Sequence, residues 1–384
     1  MTTEKLYYID SHLFDFEATV LDCRETEKGW AVILDRTAFF PEGGGQQADT
    51  GFIGAAPVTD VQERGGEILH SCGQALPVGA HLPCRIDREQ RLVRMQNHSG
   101  EHIVSGLAHK LYGCENVGFH MGEDCMTIDF DRELSWQQLM EVETLANKAV
   151  RDNLPVLCSF PEGEALEKLE YRSKLELTEN VRIVEIPGID RCACCAPHVA
   201  RTGEIGIIKF VEAEKYKGGI RIHAHCGFDA LLDYREKNNA AGKISSLLSV
   251  KKHEIADGVE RILSENLRLS AEKAELSAKL CKNIADGVAP ISGVACVFEQ
   301  GIGASGMRII ANTVAQKSRA VAVFDKKADS EYSFVIASQH GIAKELMSLL
   351  SQKFNIKGGG SDKMVQGTAC GDACEIEKLL KSYQ

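Results

Sequence analysis

The first 90 residues alternate short apolar runs with turn-forming segments. Runs such as WAVILD are separated by PEGGGQ, ERGGE and LPVG, in which glycine and proline permit tight reversals of the chain. Short apolar stretches at this spacing are typical of β-strands joined by hairpins and loops. The pattern therefore predicts a small β-rich, barrel-like domain over residues 1–90.

The pattern becomes mixed over residues 91–228. Apolar residues recur with helical spacing in MQNHSGEHIVSGLAHKLYG and in SWQQLMEVETLANKAVRDN, whereas CMTIDF, VRIVEI and GEIGIIKFVE have the composition of strands. Helices and strands combined in this way predict an α+β domain.

Residues 229–283 contain few turn-forming residues, and an apolar residue recurs at every seventh position. The repeat predicts a long helix with a single apolar seam, which we interpret as a spacer or dimerisation element. Polar residues occupy the companion positions, so an antiparallel hairpin or a helical dimer arm fits better than a continuous coiled coil. The seam consists of Leu248, Ile255, Ile262, Leu269 and Leu276.

The last segment, residues 284–384, returns to alternating strands and helices. GVACVFEQ, RAVAVFD and EYSFVIAS are predicted strands, GIAKELMSLLSQKF is a predicted helix, and the glycine-rich KGGGSDKMVQGTA follows it. This order predicts a C-terminal α/β domain. The chain as a whole is expected to be an α+β multidomain protein.

Composition narrows the functional classes. The 384 residues are 26% charged and 44% hydrophobic, as in ordinary globular proteins, and no run of about eighteen apolar residues predicts a membrane span. A net charge of -11 argues against broad, non-specific affinity for nucleic acids. Fourteen cysteines without an apolar leader predict a reducing, cytoplasmic location, where thiols stay free or bind metal.

Four arginines spaced by three form a candidate basic patch within this acidic chain. On a helix they could contact RNA phosphates, or they could belong to a solvated face of mixed charges that includes Asp87 and Glu89. The four residues are Arg85, Arg88, Arg91 and Arg94.

Two histidines four residues apart begin the candidate metal chemistry. His98 and His102 lie in a segment with helical spacing, so both imidazoles project from one helix face. Cys194 and His198, in RCACCAPHVARTG, provide a thiolate and an imidazole at the same separation. Zinc accepts both donor types, and two such pairs complete a tetrahedron.

Other residues could replace members of this set. Cys192 and Cys195 flank Cys194 and could compete with it for the metal. His223 and His225 are a further option, although alternate positions on a strand more often indicate one face of an ordinary sheet.

Two further motifs each have two interpretations when only the residues are considered. The three consecutive glycines in PEGGGQQADTG could let backbone amides approach a ligand, or could form a tight turn of a β-domain. Glu101 directly precedes His102, which matches the H-x-x-E-H pattern of inverted zinc metalloproteases. Those enzymes leave a metal position open for water, whereas a Cys/His pair is available here.

Four segments together resemble the alanyl-tRNA editing family AlaX and the editing domain of alanyl-tRNA synthetase. They are PEGGGQQADTG, NHSGEHIVSGL, GFHMGEDCMTIDF and CACCAPHVARTGEIGIIKF, in the family's order and at compatible separations. GIRIHAHCG extends the resemblance, and KGGGSDKMVQGTA is similar to the glycine-rich end of the DHH-associated C-terminal domain of long members. The resemblance runs from about residue 10 to the C-terminus and implies the long form without an aminoacylation core.

The resemblance implies a zinc-dependent aminoacyl-tRNA hydrolase that removes serine, or less certainly glycine, from alanine tRNA without charging that tRNA. It implies zinc ligation by His98, His102, Cys194 and His198. Glu101 is a candidate general base, or else a carboxylate that supports the site. The candidate substrate-binding residues are Gly43, Gly44, Gly45, Gln46, His120, Gly358, Gly359 and Gly360.

Many of the synthetase sequences carry threonine where this chain has Glu101 and often glutamine near the position of His120, so these two residues bear on the choice between serine and glycine. In the family, the C-terminal domain engages tRNA or promotes dimers, and a homodimer through this domain or the helical segment is a further expectation. Two alternatives stay open: a tRNA-binding protein in which zinc only stabilises the fold, and a metalloprotease.

Overall fold

The computed structural model describes residues 3–27, 29–122, 124–173 and 181–383. The chain divides into two compact units, Met1–Ala240 and Ala241–Gln384, and it contains helices together with several sheets. The expected mixed α+β multidomain character is confirmed, and the finer division into four segments stays a prediction. Among the residues described, no helix combines the length and apolar character needed to cross a membrane.

The first part of unit Met1–Ala240 is built from eight strands. They are β1 (Glu4–Lys5), β2 (Asp15–Thr26), β3 (Gly29–Leu34), β4 (Arg36–Thr37), β5 (Gly51–Ile53), β6 (Ala56–Arg64), β7 (Glu67–Cys72) and β8 (His81–Ile86). Six of them close into a barrel in the order β2, β3, β7, β6, β5, β8. Buried positions alternate along β7, because one face of a barrel strand points inward. Apolar side chains fill the interior, among them Val20, Val32, Leu34, Ile53 and Ile68.

The second part of this unit packs helices against two antiparallel sheets. Its elements are α1 (Arg88–Tyr112), β9 (Asn116–Met121), β10 (Met126–Phe130), α2 (Trp136–Arg151), β11 (Leu157–Ser159), α3 (Glu164–Glu167), β12 (Ile183–Ile186), β13 (Asp190–Ala193), β14 (Ile208–Tyr216), β15 (Gly219–Cys226) and α4 (Phe228–Leu248). The larger sheet has the order β14, β15, β10, β9, and the smaller one has the order β11, β12, β13.

Helix α1 is the central element of this part. Asp87 caps its first turn by accepting a hydrogen bond from the Gln90 amide at 3.1 Å, and Gly113 ends it with a φ of 62°. Every side chain from Asn97 to Ala108 is buried, so the polar groups in this stretch require partners within the protein. Gly106 permits this burial, because a Cβ there would lie 2.6 Å from the Ile189 carbonyl oxygen.

Arg91 joins α1 to the barrel and is wholly buried. Its Nε lies 3.0 Å from both carboxylate oxygens of Asp49, and its Nη1 donates to the Ser11 carbonyl at 3.0 Å. Its Nη2 donates to Asp49 and to the Ala38 carbonyl. The prediction that all four arginines lie on one RNA-binding face is therefore wrong. Arg91 is buried, and its guanidinium nitrogens are hydrogen-bonded within the protein.

The unit Ala241–Gln384 is a five-stranded sheet between two layers of helices. Its remaining elements are α5 (Ile255–Gly287), β16 (Ile291–Gln300), α6 (Gly303–Val314), β17 (Ser318–Ala328), β18 (Glu331–Ala337), α7 (Ala343–Ser351), β19 (Asn355–Gly360), β20 (Met364–Cys370) and α8 (Ala373–Lys381). The strand order is β16, β17, β18, β20, β19, and only β16 and β17 pair in parallel. One face packs against α5 and α6, and the other packs against α7 and α8.

The long helix predicted over residues 229–283 is interrupted. Helix α4 ends at Leu248 and α5 begins at Ile255, with Ser249 between them at a φ of 53°. The seven-residue repeat thus places Leu248 on one helix and the rest of the seam on the other. Ile262, Leu269 and Leu276 are at least half exposed on α5.

We expect Arg91→Met to lower the free energy of unfolding by about 3–5 kcal/mol, because it leaves the Asp49 carboxylate buried without its charged partner. Urea denaturation followed by circular dichroism measures this change. Arg88→Met, on the exposed side of the same helix, should change stability by less than about 0.5 kcal/mol. A further Asp49→Leu change should recover much of the loss; equal effects of the two single variants would contradict this role of Arg91.

Candidate metal centre

The four residues paired by spacing in the sequence converge at one point. His98 and His102 lie one turn apart on α1, and Cys194 and His198 lie in the loop that follows β13. One donor atom from each residue lies within 4.8 Å of the other three. Cys194 Sγ is 3.4 Å from His98 Nε2, 96 positions away in the chain, and 3.3 Å from His198 Nε2.

Each imidazole is held from behind by a different partner. His98 Nδ1 lies 3.0 Å from Gln46 Oε1, His102 Nδ1 lies 3.0 Å from Asp190 Oδ2, and His198 Nδ1 lies 3.0 Å from Ser99 Oγ. This leaves the three Nε2 atoms for the centre of the cluster. Outer hydrogen bonds of this kind select the tautomer and orientation of a metal-bound histidine.

The electrostatics of the cluster suit a cation. Burial raises the pKa of the Cys194 thiol, but His98, His198 and His102 outweigh burial and hold that pKa well below its usual value. Burial lowers the pKa of His198 to about 3, so this ring is neutral. Burial lowers the pKa of His102, but hydrogen bonds to Asp190 and Cys194 outweigh burial and hold that pKa well above its usual value, so this ring carries a proton beside the thiolate. Zinc ligation requires a thiolate and neutral imidazoles, so an ion bound here would take the place of that proton.

Asp190 anchors the cluster on its inner side. Burial raises the pKa of its carboxyl group, but hydrogen bonds from His102 and Arg172 outweigh burial and lower that pKa to about 2. Arg172 donates from Nε to Asp190 Oδ1 at 2.7 Å and from Nη2 to Asp190 Oδ2 at 2.9 Å. The carboxylate is therefore ionised and fixed, and it holds His102 rather than the metal.

The neighbouring thiols are less suited to the metal than Cys194. Burial raises the pKa of Cys192 to about 11, so this thiol remains protonated. Cys195 is exposed and belongs to neither group of converging donors among the described residues. Cys192 does lie within 4.8 Å of donor atoms of His102 and Asp190, but that carboxylate is already bound to Arg172. The geometry thus favours Cys194 among the three cysteines.

The glycine-rich loop of the barrel part lies directly against the cluster. Gly45 has a φ of 83°, and a Cβ there would lie 2.5 Å from the Phe119 carbonyl oxygen, so only glycine fits. The Gly45 carbonyl accepts a hydrogen bond from the Met121 amide at 3.1 Å. At Gly44, also at positive φ, a Cβ would lie 3.9 Å from His98 Cε1. The loop therefore carries Gln46 to the back of His98.

Glu101 lies beside the cluster and is buried. Its Oε1 accepts hydrogen bonds from Ser105 Oγ at 2.6 Å and from the Asn116 side-chain amide. Its Oε2 lies 3.9 Å from His102 Nε2, on the side of the ring that faces the cluster. The carboxylate is thus oriented by two side chains and borders the space around the metal position.

Other predicted site residues lie elsewhere. His120 is exposed on β9, next to Phe119, whose ring centre lies 5.0 Å from that of His98. Because neighbouring strand residues point to opposite faces, His120 faces away from the cluster. Gly358, Gly359 and Gly360 lie on the exposed edge strand β19 of the other unit. His223 and His225 project from β15 and belong to neither cluster of potential metal ligands found in the described residues.

Ser99, Asp190 and Arg172 support the site but were not identified from the sequence. Asp190 and His102 are 88 positions apart, and the supporting role of Asp190 has no local pattern. A serine between two histidine ligands is also compatible with a simple helix surface. Only the packing of the 189–190 segment against Gly106 brings Asp190 to His102.

Comparisons with known proteins relate this chain to tRNA synthetases and to alanyl-tRNA editing proteins. The family model of class II (A) tRNA synthetases matches residues 2–90, and that of the threonyl and alanyl tRNA synthetase second additional domain matches residues 181–223. An alanine–tRNA ligase from Halorubrum lacusprofundi is 32% identical over 99% of this chain and 44% of its own length. The chain thus spans less than half of that ligase.

Two further relatives match along nearly their whole length. The alanyl-tRNA editing protein AlaX-L of Pyrococcus horikoshii is 28% identical over 95% of this chain and 94% of its own length. The alanyl-tRNA editing protein Aarsd1 of Danio rerio is 28% identical over 97% and 96%, respectively. The chain is thus similar, over nearly its whole length, to two alanyl-tRNA editing proteins and to less than half of an alanine–tRNA ligase.

We expect Cys194→Ala to lower the affinity for zinc by at least about 100-fold, because loss of an outer partner of a ligand alone costs 10–100-fold. Mass spectrometry of the metal content, with chelator competition, measures this affinity. Cys195→Ala is the matched control and should keep about one zinc ion per chain. Loss of zinc from the Cys195 variant but not from the Cys194 variant would show that Cys195, and not Cys194, is the ligand.

Proposed function

We propose that this chain hydrolyses the ester between a wrongly attached amino acid and alanine tRNA, with one zinc ion held by His98, His102, Cys194 and His198. The observation that carries the proposal is the convergence of these four donors, with each imidazole oriented by its own outer partner. The likeness to alanyl-tRNA editing proteins over nearly the whole chain supplies the substrate class.

The donor set fits zinc in number and in type. One thiolate and three imidazoles satisfy a tetrahedral ion, and all four residues are supplied by the protein. When bound, the ion would contribute positive charge that orients the aminoacyl group. A fully ligated ion has no open position for the water that a metalloprotease needs, which argues against the H-x-x-E-H alternative.

The reaction is attack of water on the ester carbonyl. The bond between that carbonyl carbon and the ribose oxygen breaks, which releases the amino acid and a tRNA with a free terminal hydroxyl. Glu101 takes the proton from the attacking water, because its carboxylate borders the metal position and is oriented by Ser105 and Asn116.

Gln46 is the residue to which we assign a preference for serine over alanine. Its Oε1 faces His98 Nδ1, and its buried Nε2 has no hydrogen-bond partner among the described residues. The serine hydroxyl oxygen can accept from this amide, whereas alanine leaves the amide unpaired at a cost of about 1–3 kcal/mol. Glycine also lacks the hydroxyl, so this contact favours seryl-tRNA(Ala) over glycyl-tRNA(Ala). His120, which faces away, is not needed for this contact.

A second candidate function is binding of tRNA without hydrolysis. Four protein ligands would saturate the ion, as in zinc sites that only stabilise a fold, and this observation favours the candidate. It predicts retention of the ester together with tight binding of tRNA.

Partners and location follow from the same proposal. The exposed glycines of β19 are candidates for tRNA contact, and the exposed apolar seam of α5 is a candidate surface for a homodimer. All fourteen cysteines are free thiols, in keeping with the reducing cytoplasm where tRNA is charged.

We expect zinc-loaded protein to clear seryl-tRNA(Ala) and to spare alanyl-tRNA(Ala), with a difference in rate of roughly 10- to 100-fold from the Gln46 contact. Acid-gel separation of charged and uncharged tRNA over a time course measures both rates. Glycyl-tRNA(Ala) should be deacylated more slowly than seryl-tRNA(Ala). Seryl ester that persists despite tRNA binding would establish the non-catalytic alternative instead.

We expect Glu101→Gln to lower kcat for deacylation by about 10²–10⁴-fold while zinc content is kept, because the amide cannot take a proton from water. Single-turnover rates across pH, together with metal analysis, measure the effect, and the variant should lose the acidic limb of the pH profile. Glu133→Gln, on the surface of the same unit, is the matched control. Loss of zinc and activity together would show that Glu101 only supports the fold.

A further inference from the structure

The loop that carries Cys194 and His198 lies beyond the end of strand β13, so no strand ladder holds its backbone. Three of its carbonyls accept hydrogen bonds from side chains of other segments. Arg182 donates from Nη1 to the Cys194 carbonyl at 3.0 Å and to the Ala196 carbonyl at 2.8 Å. Ser11 donates from Oγ to the His198 carbonyl at 2.7 Å. The loop that provides two of the four candidate ligands is therefore held from outside by an arginine and a serine.

Arg182 is itself held in one position. Only 6% of the residue is exposed, and its Nη2 donates to Cys158 Sγ at 3.0 Å. The guanidinium carbon lies 5.3 Å from the centre of the Tyr8 ring, within the range of a cation–π contact. The Arg182 carbonyl in turn accepts a hydrogen bond from the Cys194 amide at 3.0 Å. Because the donors of a guanidinium lie in one rigid plane, a fixed guanidinium also fixes the two carbonyls that it binds.

We infer that Arg182 is a positioning residue for the metal centre, which holds the loop so that Cys194 rather than Cys195 faces the histidines of α1; the inference rests on the function proposed above. Cys194 Sγ lies 3.4 Å from His98 Nε2, whereas Cys195 is exposed. Turning Cys195 inward would rotate the peptide unit that carries the Cys194 carbonyl and would break its hydrogen bond to Arg182.

The donors of Arg182 act on the loop and not on the ligand atoms. Both Nη nitrogens are used on the two carbonyls and on Cys158, so the arginine neither binds the metal nor contacts the reacting atoms. Without the guanidinium, the loop would have to be ordered when the ion binds, and the conformational entropy lost in that step would weaken metal affinity. Arg182 thus acts by orienting the loop in advance.

The test measures metal binding by the full chain, with Co²⁺ as a spectroscopic substitute for Zn²⁺. Chelator competition gives the zinc affinity, and the thiolate-to-cobalt charge-transfer band reports a bound thiolate. We expect Arg182→Met to bind zinc about 10- to 100-fold more weakly than the wild type, which is the range for outer partners of metal ligands. Arg182→Lys keeps the charge without the rigid fork and should recover part of this loss. If the Arg182→Met protein does not fold, Arg182→Lys carries the same test.

Cysteine substitutions test which thiol the loop presents. With Arg182 in place, Cys194→Ala should remove the cobalt band, because Cys195 is held outward. In the Arg182→Met background, Cys194→Ala should keep part of the band, and a further Cys195→Ala change should remove it. A band that Cys194→Ala removes completely in both backgrounds would overturn the proposed orienting role.

Arg221→Met is the matched control, because Arg221 is a half-buried arginine that pairs with Asp129 in the larger sheet, at 2.6 Å, rather than with the loop. It should lower the free energy of unfolding, measured by urea denaturation, and keep the zinc affinity and the cobalt band. Unchanged zinc affinity in Arg182→Met, or an equal loss in Arg221→Met, would overturn the inference. Dependence of metal binding on Arg182 without deacylation of seryl-tRNA(Ala) would instead contradict the proposed function and leave the role of Arg182 standing.

Discussion

The structure of unit Met1–Ala240 depends on the convergence of one thiolate and three imidazoles at a buried point. Lone pairs from four donors face one another within 4.8 Å, away from bulk water. A divalent cation between the donors would balance the thiolate charge and bind the imidazole lone pairs. Gln46, Ser99 and Asp190 hold the rings in this arrangement, so the four donors are already oriented for the metal ion that we propose.

Helix α1 carries many of the groups that form or border this cluster. It carries two of the donors, the proposed base Glu101, the buried Arg91 and the cavity-lining Arg94 on successive turns. Small residues let other segments approach the helix closely, as Gly106 does for the segment that holds Asp190. A helix buried along its middle has little conformational freedom, and the groups on it are therefore placed accurately with respect to one another.

The barrel contributes to the same site through its glycine-rich loop. Gly45 passes so close to Phe119 that no side chain could be accommodated, and Gln46 follows it to His98. The buried pair of Arg91 and Asp49 fixes the barrel relative to α1.

The sequence by itself determined the mixed α+β character and paired the four donor residues by their spacing, because periodicity and i, i+4 spacing are local properties. It could not distinguish Arg91 from Arg94, since burial of one and exposure of the other to a cavity depend on where Asp49 lies. It allowed for a helical hairpin without locating the break at Ser249, and it left the outward direction of His120 undecided. Tertiary structure alone decided these points and the role of Asp190, because contacts between residues 42 or 88 positions apart leave no periodic signal in the chain.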